Sequence, residues 1–321
     1  LTSQKITRSS SISQILRFLD GKMAIVFGTP RKIRKPQTLR KRLPIQIYPR
    51  LIERKYEKLL VSLFDELRDI MEQDLFPQLE PMAREFSQEF GIKMRQDDFL
   101  SSLTRIMAGI LVKFAGRITQ KEAEMLKVAT NVDAWNKQQS RKVVKHVLGV
   151  DLLEMDKSMS AAVNLWVKQN VALCVNLADG EAAIIEKMVT DAFRNGFSWQ
   201  ELRQGLQDHW VGRDQRKTNW VPGFSVPYRA RLVARDQIGK LNGQISKMRQ
   251  TNVGIWRYKW RTSLDERVRD SHRKLEGKIF AWNPEDGEQP PPEIGHPGND
   301  YQCRCYAEPI ITDLLDFDED E

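Results

Sequence analysis

Residues 255–262, Ile255-Trp256-Arg257-Tyr258-Lys259-Trp260-Arg261-Thr262, are where the chain changes its hydrophobic period. Ile255, Arg257, Lys259 and Arg261 alternate with Trp256, Tyr258, Trp260 and Thr262, the two-residue repeat of a half-buried strand. Beyond it, residues 265–275 predict a short helix closed by Gly277, and residues 278–282 a second strand. A Pro/Gly-rich loop then runs from Asn283 through Gly298, and a last strand is expected near residues 306–310. Before residue 255 there is almost no strand pattern. The fold class is therefore mainly α, with a long helical N-terminal and central region followed by a small α+β C-terminal domain.

The helical region reads from its apolar spacing. Ile52, Tyr56, Leu59, Leu60, Leu63, Phe64, Leu67, Ile70 and Met71 form one stripe over residues 48–75, expected to end before Pro77 and Pro81. Residues 97–113 and 119–148 repeat the pattern, with Thr119 and Glu122 placed as a capping box. Residues 156–177 and 180–194 follow, the latter stopped by Asn195-Gly196. Ser198 and Glu201 form another capping box, opening a helix through His209. After the loop with Pro222, Gly223 and Pro227, a helix should run from Tyr228 to about Gln250. Trp135, Trp166, Met125, Met155 and Met188 are assigned to packing, His146 and His209 read as isolated, and Cys174 as a buried small hydrophobe.

Composition bounds the function. The 321 residues carry 51 Lys and Arg against 43 Asp and Glu, a formal charge of +8, and 40% are hydrophobic. That balance argues against a disordered or collagen-like chain, and three cysteines against a disulfide-stapled secreted scaffold. By eye no apolar run approaches the roughly 20 residues of a bilayer span, so a soluble, basic, intracellular protein is expected, with no membrane partner. No Gly-rich phosphate loop, HExxH or G-x-S-x-G elbow is present, so the chain is not read as an enzyme.

Charge is polarised along the chain. Arg31, Lys32, Arg34, Lys35, Arg40, Lys41 and Arg42 form an acid-free run punctuated by Pro30, Pro36 and Pro44. It reads as an extended arm able to bind DNA non-specifically through phosphates, or as a solvated tail. Asp313, Asp316, Asp318, Glu319, Asp320 and Glu321 close the sequence as an acidic tail. Residues 1–22 precede Met23, the first methionine, and read as an upstream extension of the reading frame rather than a signal peptide. The expected organisation is a basic arm at 1–47, a helical domain at 48–227, the α+β domain at 228–311 and the tail at 312–321.

Two of the four histidines and two of the three cysteines fall within residues 272–305. The string Trp260-Arg-Thr-Ser-Leu-Asp265-Glu-Arg267-Val-Arg-Asp-Ser-His272, closed by Gly277, then Pro-Pro, His296-Pro297 and Cys303-Arg-Cys305-Tyr, resembles the phage Mu F-like minor head protein family. The preceding Arg229-Ala-Arg-Leu-Val-Ala234-Arg235 is similar to the helix leading into that domain, with Asp236 where Thr is expected. The resemblance covers residues 228–309. It implies a minor capsid, head-morphogenesis protein of a tailed double-stranded DNA phage or prophage, inside the head of the virion and in the host cytoplasm during assembly. It also implies contacts with portal protein and with major capsid or scaffolding protein. The alternative is a metal-dependent hydrolase, nuclease or toxin-associated module using His272, His296 and Asp265.

Some members of that family carry Cys-x-x-Cys where this chain has Arg269-Asp-Ser-His272. His272, His296, Cys303 and Cys305 would then supply the four ligands of a structural zinc site. A metal-free cluster, with His272 paired to Asp265 and both cysteines simply buried, remains the other reading. Asp265 and Arg269 would form an i,i+4 helical pair. Trp260, Asp265, Arg267, Gly277 and Pro297 complete the structural motif.

Overall fold

The computed structural model describes residues 43–87, 96–149, 159–211, 226–285 and 288–311. Among the described residues are seven helices: α1 (Arg50–Asp74), α2 (Phe76–Ser87), α3 (Gln96–Leu148), α4 (Ser160–Arg194), α5 (Trp199–Val211), α6 (Val226–Asn252) and α7 (Asp270–Arg273). Three short strands, β1 (Arg257–Arg261), β2 (Ile279–Ala281) and β3 (Tyr306–Pro309), form one antiparallel sheet in the order β2-β1-β3. A mainly α chain with a small C-terminal α+β region is what the periodicity predicts.

The helix ends divide into those set by local chemistry and those overridden by packing. Ser198 caps α5 as expected: its N–H and Oγ–H both donate to Glu201 Oε2 (2.7 and 2.8 Å), and the Glu201 N–H returns to Ser198 Oγ at 3.3 Å. Gly196 stops α4 at φ +69°, with Phe197 N–H donating to Ala192 O and Gly196 N–H to Phe193 O. Thr119, by contrast, caps nothing. It sits inside α3, its hydroxyl donating to Ala115 O four residues back. The buried face Phe99, Leu103, Met107, Ile110, Phe114, Ile118 stops at Thr119 and resumes at Met125, Val128 and Ala129, so burial on both sides carries the helix where capping chemistry would have ended it. The ridge Cys174, Ala178, Ala182, Ile185, Val189 carries α4 through Gly180 in the same way, merging two expected helices into one. Helix α2 likewise spans Pro77 and Pro81, the second costing one interior N–H bond.

Helix α3 also contains a stretch long and apolar enough, by length and composition alone, to cross a membrane. This corrects the expectation that no such run exists. Its buried ridge recurs at three- and four-residue steps with Val112 left exposed on the far side, the distribution of a helix packed along one face.

The chain divides into two compact units that do not follow sequence order. One comprises residues 50–130 and 163–237, and its regular elements among the described residues are all helices. The α1 stripe of Tyr56, Leu59, Leu60, Leu63, Leu67 and Met71 is buried in it. Tyr56 Oη–H donates to Asn170 Oδ1 at 2.7 Å, and the Trp166 indole donates to Gln237 O at 3.1 Å. Phe76 lies between Trp199 and Trp210, with ring centroids 5.6 and 5.8 Å away.

The other unit comprises residues 43–49, 131–162 and 238–311 of the described chain. Strand β1 alternates as its sequence requires, with Tyr258 and Trp260 fully buried beside Phe280, Trp282, Cys303, Cys305 and Ala307. Arg261, on the other face, is held by Glu308 and Glu276 (2.9 and 3.0 Å). Gln250 ties α6 to both edges of the sheet: its Nε2 donates to Ala307 O, and its Oε1 accepts the Trp282 indole N–H, each at 2.9 Å. Buried Arg249 donates to Asp133 Oδ1 (2.6 Å) and Asn136 Oδ1 (2.9 Å), joining α6 to α3.

The closest approach in this unit is between α6 and the loop after residue 296. A Cβ on Gly243 would lie 2.4 Å from Pro297 O, and one on Gly239 would lie 2.7 Å from Cys303 O. Gly298, at φ +94°, fits from the other side, where a Cβ would meet Gly239 O at 2.7 Å. Because the obstructing atoms are backbone, Gly243→Ala is expected to destabilise the chain by about 1–3 kcal/mol through forced displacement of the loop. Gly109→Ala, on an open helix face, should instead be neutral or stabilising by up to about 1 kcal/mol through helix propensity. Urea unfolding of both variants checks this; equal effects would show that the close approach is absent.

Candidate metal centre

The C-terminal His and Cys residues converge because three local geometries agree. In Cys303-Arg304-Cys305 the extended backbone entering β3 puts residues 303 and 305 inward and Arg304 outward. Gln302, at φ +54°, and Gly298 turn the chain into that strand. Helix α7 is only four residues long, follows Arg269 at its N-cap without a side-chain cap bond, and presents buried His272 beneath Trp260, ring centroids 5.8 Å apart and nearly perpendicular. His272 Nδ1 then lies 3.4 Å from Cys305 Sγ and 3.6 Å from Cys303 Sγ. The three ligand atoms fall within 4.8 Å of one another, and all three residues are buried.

His272 is oriented from behind. Its Nε2–H donates to Asp300 Oδ2 at 2.7 Å, leaving Nδ1 directed at the sulfurs. Asp300 also accepts from Arg269 Nη1 (2.6 Å) and, through Oδ1, from the Tyr301 N–H (2.7 Å). Burial opposes its ionisation, but these donors win and hold its carboxyl below the usual range. The His272 imidazole is raised, first by its contact with Cys303 and then by Asp300, against the effect of burial.

The two thiols share a proton unequally. Cys303 is pulled down to about 5, first by a hydrogen bond from Cys305 and then, against burial, by His272 and the N–H groups of Gly298 and Cys305 (both 3.4 Å). Cys305 is pushed up by the same bond to Cys303 and by burial. The buried Trp260 indole N–H finds no oxygen or nitrogen acceptor and favours the Cys305 thiolate. Sulfur here is surrounded by donors, an environment that suits thiolate and therefore a cation.

Other expected partners lie elsewhere. His296 stands outside the cluster: its Nδ1 is 2.9 Å from Tyr258 Oη, and its ring packs on Trp282 at 4.8 Å. The partner of His272 is Asp300, not Asp265. Asp265 is bound by Arg304 at 2.6 Å and accepts the Arg267 N–H, and its carboxyl is held low by Arg304 despite burial. Because α7 starts at residue 270, Asp265 and Arg269 do not share a helix, and Arg269 pairs with Asp300 and the Tyr301 carbonyl. Among the motif residues, Trp260 and Pro297 are buried, Gly277 at φ +78° donates to Trp260 O, and Arg267 is exposed.

In the helical unit, His209 is not isolated. It is buried 2.6 Å from Glu181, which also accepts from Arg229 at 2.7 Å, and these bonds overcome burial to hold the Glu181 carboxyl low. Trp166, Met125, Met188 and Cys174 are buried as expected, Trp135 is half-buried with its indole on Ile47 O, and His146 is exposed. The Cys174 thiol is pushed up to about 12 by burial. Met155, the basic run Arg31–Arg42 and the acidic tail lie outside the described residues. Asp300, Gly239 and Gly243 carry the site's geometry without standing out in sequence. The only cue was the Gly298-Asn299-Asp300 turn next to His296-Pro297.

Residues 183–308 match the family model described as Phage Mu protein F like protein. The match includes every residue of the His/Cys centre and extends upstream into α4. A curated "Uncharacterized protein" of Haemophilus influenzae is 31% identical over 182 residues, 56% of this chain. The matched stretch spans 37% of that relative's length. No solved structure matches the chain.

His296 makes the pH behaviour of this unit testable. Burial, helped by the Lys247 cation, lowers its pKa from the ordinary 6.5 to about 4, while a hydrogen bond to the Trp282 backbone opposes the shift. The unfolded chain therefore binds the proton first, and this histidine's contribution is lost as pH falls from about 6.5 towards 4. His296→Gln should flatten the decline of Tm between pH 7 and 5 compared with the unaltered chain. Parallel curves from thermal melts would contradict a buried neutral imidazole.

Proposed function

We propose that this chain, whose residues 183–308 match the phage Mu protein F-like family model, is a minor head protein acting in head morphogenesis of a tailed double-stranded DNA phage or prophage. The observation that carries the reading is the family match, which extends over the whole Trp260-to-Cys305 motif. Its place is inside the virion head, beside the portal and in contact with major capsid or scaffolding protein. The role is structural: burial of His272, Cys303 and Cys305 suits a centre that holds a fold better than one that receives a substrate. Residues 31–42 supply seven cations and no acid, and in this reading they lie along packaged DNA, with the phosphates as their partners.

Two experiments test this. Particles from an induced lysogen or infecting phage, purified on a gradient and separated into heads and tails, should contain the chain in heads at low copy number by mass spectrometry. Its absence from heads, or recovery only from unassembled lysate, would overturn the assignment. Replacing Arg31, Lys32, Arg34, Lys35, Arg40, Lys41 and Arg42 by Gln should weaken duplex binding and reduce the log K against log salt slope by up to about 6, at about 0.9 per phosphate contact. Unchanged affinity and slope would show that the arm does not touch DNA.

A further inference from the structure

We propose that His272, Cys303 and Cys305 bind one zinc ion, with Asp300 positioning His272 from behind, and that this ion fastens the loop 296–305 to α7. The inference rests on this cluster's geometry and is independent of the virion assignment.

Distance is the first argument. Zinc–sulfur and zinc–nitrogen bonds of about 2.3 and 2.05 Å, meeting at the tetrahedral angle, put the nitrogen about 3.6 Å from each sulfur. His272 Nδ1 lies 3.4 and 3.6 Å from the two sulfurs, and all three ligand atoms fall within 4.8 Å of one another. The second argument is the arrangement behind the imidazole. A ligating histidine donates its other ring N–H to a carboxylate or carbonyl, which fixes the tautomer and raises its basicity. Asp300 accepts from His272 Nε2 at 2.7 Å and is itself fixed by Arg269 and the Tyr301 N–H. The third is the donor set: two sulfurs and an imidazole suit zinc and exclude magnesium or calcium, which take oxygen ligands.

Binding is balanced in protons. The sulfurs enter as thiolates, so zinc displaces whatever protons the two thiols carry, and these pass to solvent. The imidazole enters neutral, with its one ring proton kept on Nε2 toward Asp300. Three protein ligands leave one tetrahedral position, as in open zinc sites, but all three ligand residues are buried here, so that position takes a water rather than a substrate. The anchoring consequence follows from the connectivity. Cys303 and Cys305 flank the outward Arg304, whose ion pair with Asp265 fixes the opposite side of the same strand. A metal on the inward side therefore holds the Cys-x-Cys segment from both faces.

The test is elemental analysis of the full chain, purified with a reductant from zinc-containing medium. About one zinc per chain is expected, with cobalt substitution giving a thiolate-to-metal absorption band. Cys303→Ser and Cys305→Ser should each abolish stoichiometric zinc. Because loss of a buried thiol can unfold the unit, Asp300→Asn serves as the second variant. It conserves volume at a half-exposed position and should weaken zinc 10- to 100-fold in competition with a chromogenic chelator, with helix content unchanged by circular dichroism. A folded chain that neither carries zinc nor takes up added zinc or cobalt overturns the proposal. So does one zinc per chain retained in both cysteine variants, which would place the ion elsewhere. Unchanged affinity in Asp300→Asn overturns the positioning role of Asp300.

Discussion

The approach of two backbones without intervening side chains governs the C-terminal unit. Gly239 and Gly243, one turn apart on α6, admit the carbonyls of Cys303 and Pro297, and Gly298 returns the fit from the loop side. A methyl at any of these three positions would meet backbone at 2.4–2.7 Å. The consequence reaches the cysteines directly. With the Cys303 carbonyl seated against α6, its side chain turns to the other side of the strand, where His272 waits. The Gly298 N–H can then donate to the Cys303 sulfur, so the same loop that packs on the helix also stabilises the thiolate.

Electrostatics completes what packing begins. Asp300 and Asp265 each receive an arginine, Arg269 and Arg304 respectively, and each anchors a different face of residues 300–305. Gln250 satisfies a strand carbonyl and an indole N–H that the sheet leaves over. With such a short sheet, of three strands at three to five residues each, backbone ladders alone give little, and an isolated sheet of this size is marginal in water. Side-chain bonds from α6 and the proposed metal supply the remaining constraint.

What sequence could reveal follows from how local each determinant is. The β1 alternation and the Ser198–Glu201 cap depend on neighbours one to three residues apart, and both are legible. Thr119 had the same local chemistry as Ser198 but sits between two buried stretches of one helix, and tertiary burial decided against it. His209 reads as solitary because Glu181 lies 28 residues before it and Arg229 20 after, close only once α4, α5 and α6 fold. The His/Cys centre was half legible. Clustering in sequence pointed to His272, Cys303 and Cys305, but His296 shares that neighbourhood and turns instead to Tyr258. The glycine pair on α6 was invisible, since glycine inside a helix gives no indication of what approaches it.

Within this unit the loop is fastened from two sides, by backbone packing on α6 and by the ion pairs around residues 300–305. The loop 296–305 is locked, with the amides of Gly298 and Cys305 bonded to the Cys303 sulfur. Native-state hydrogen exchange on the full chain measures this directly. The account predicts that both amides exchange as slowly as the β1 amide of Trp260, which is bonded to Lys278 O at 2.8 Å. Exchange at the rate of an open surface loop, with Trp260 still protected, would contradict it.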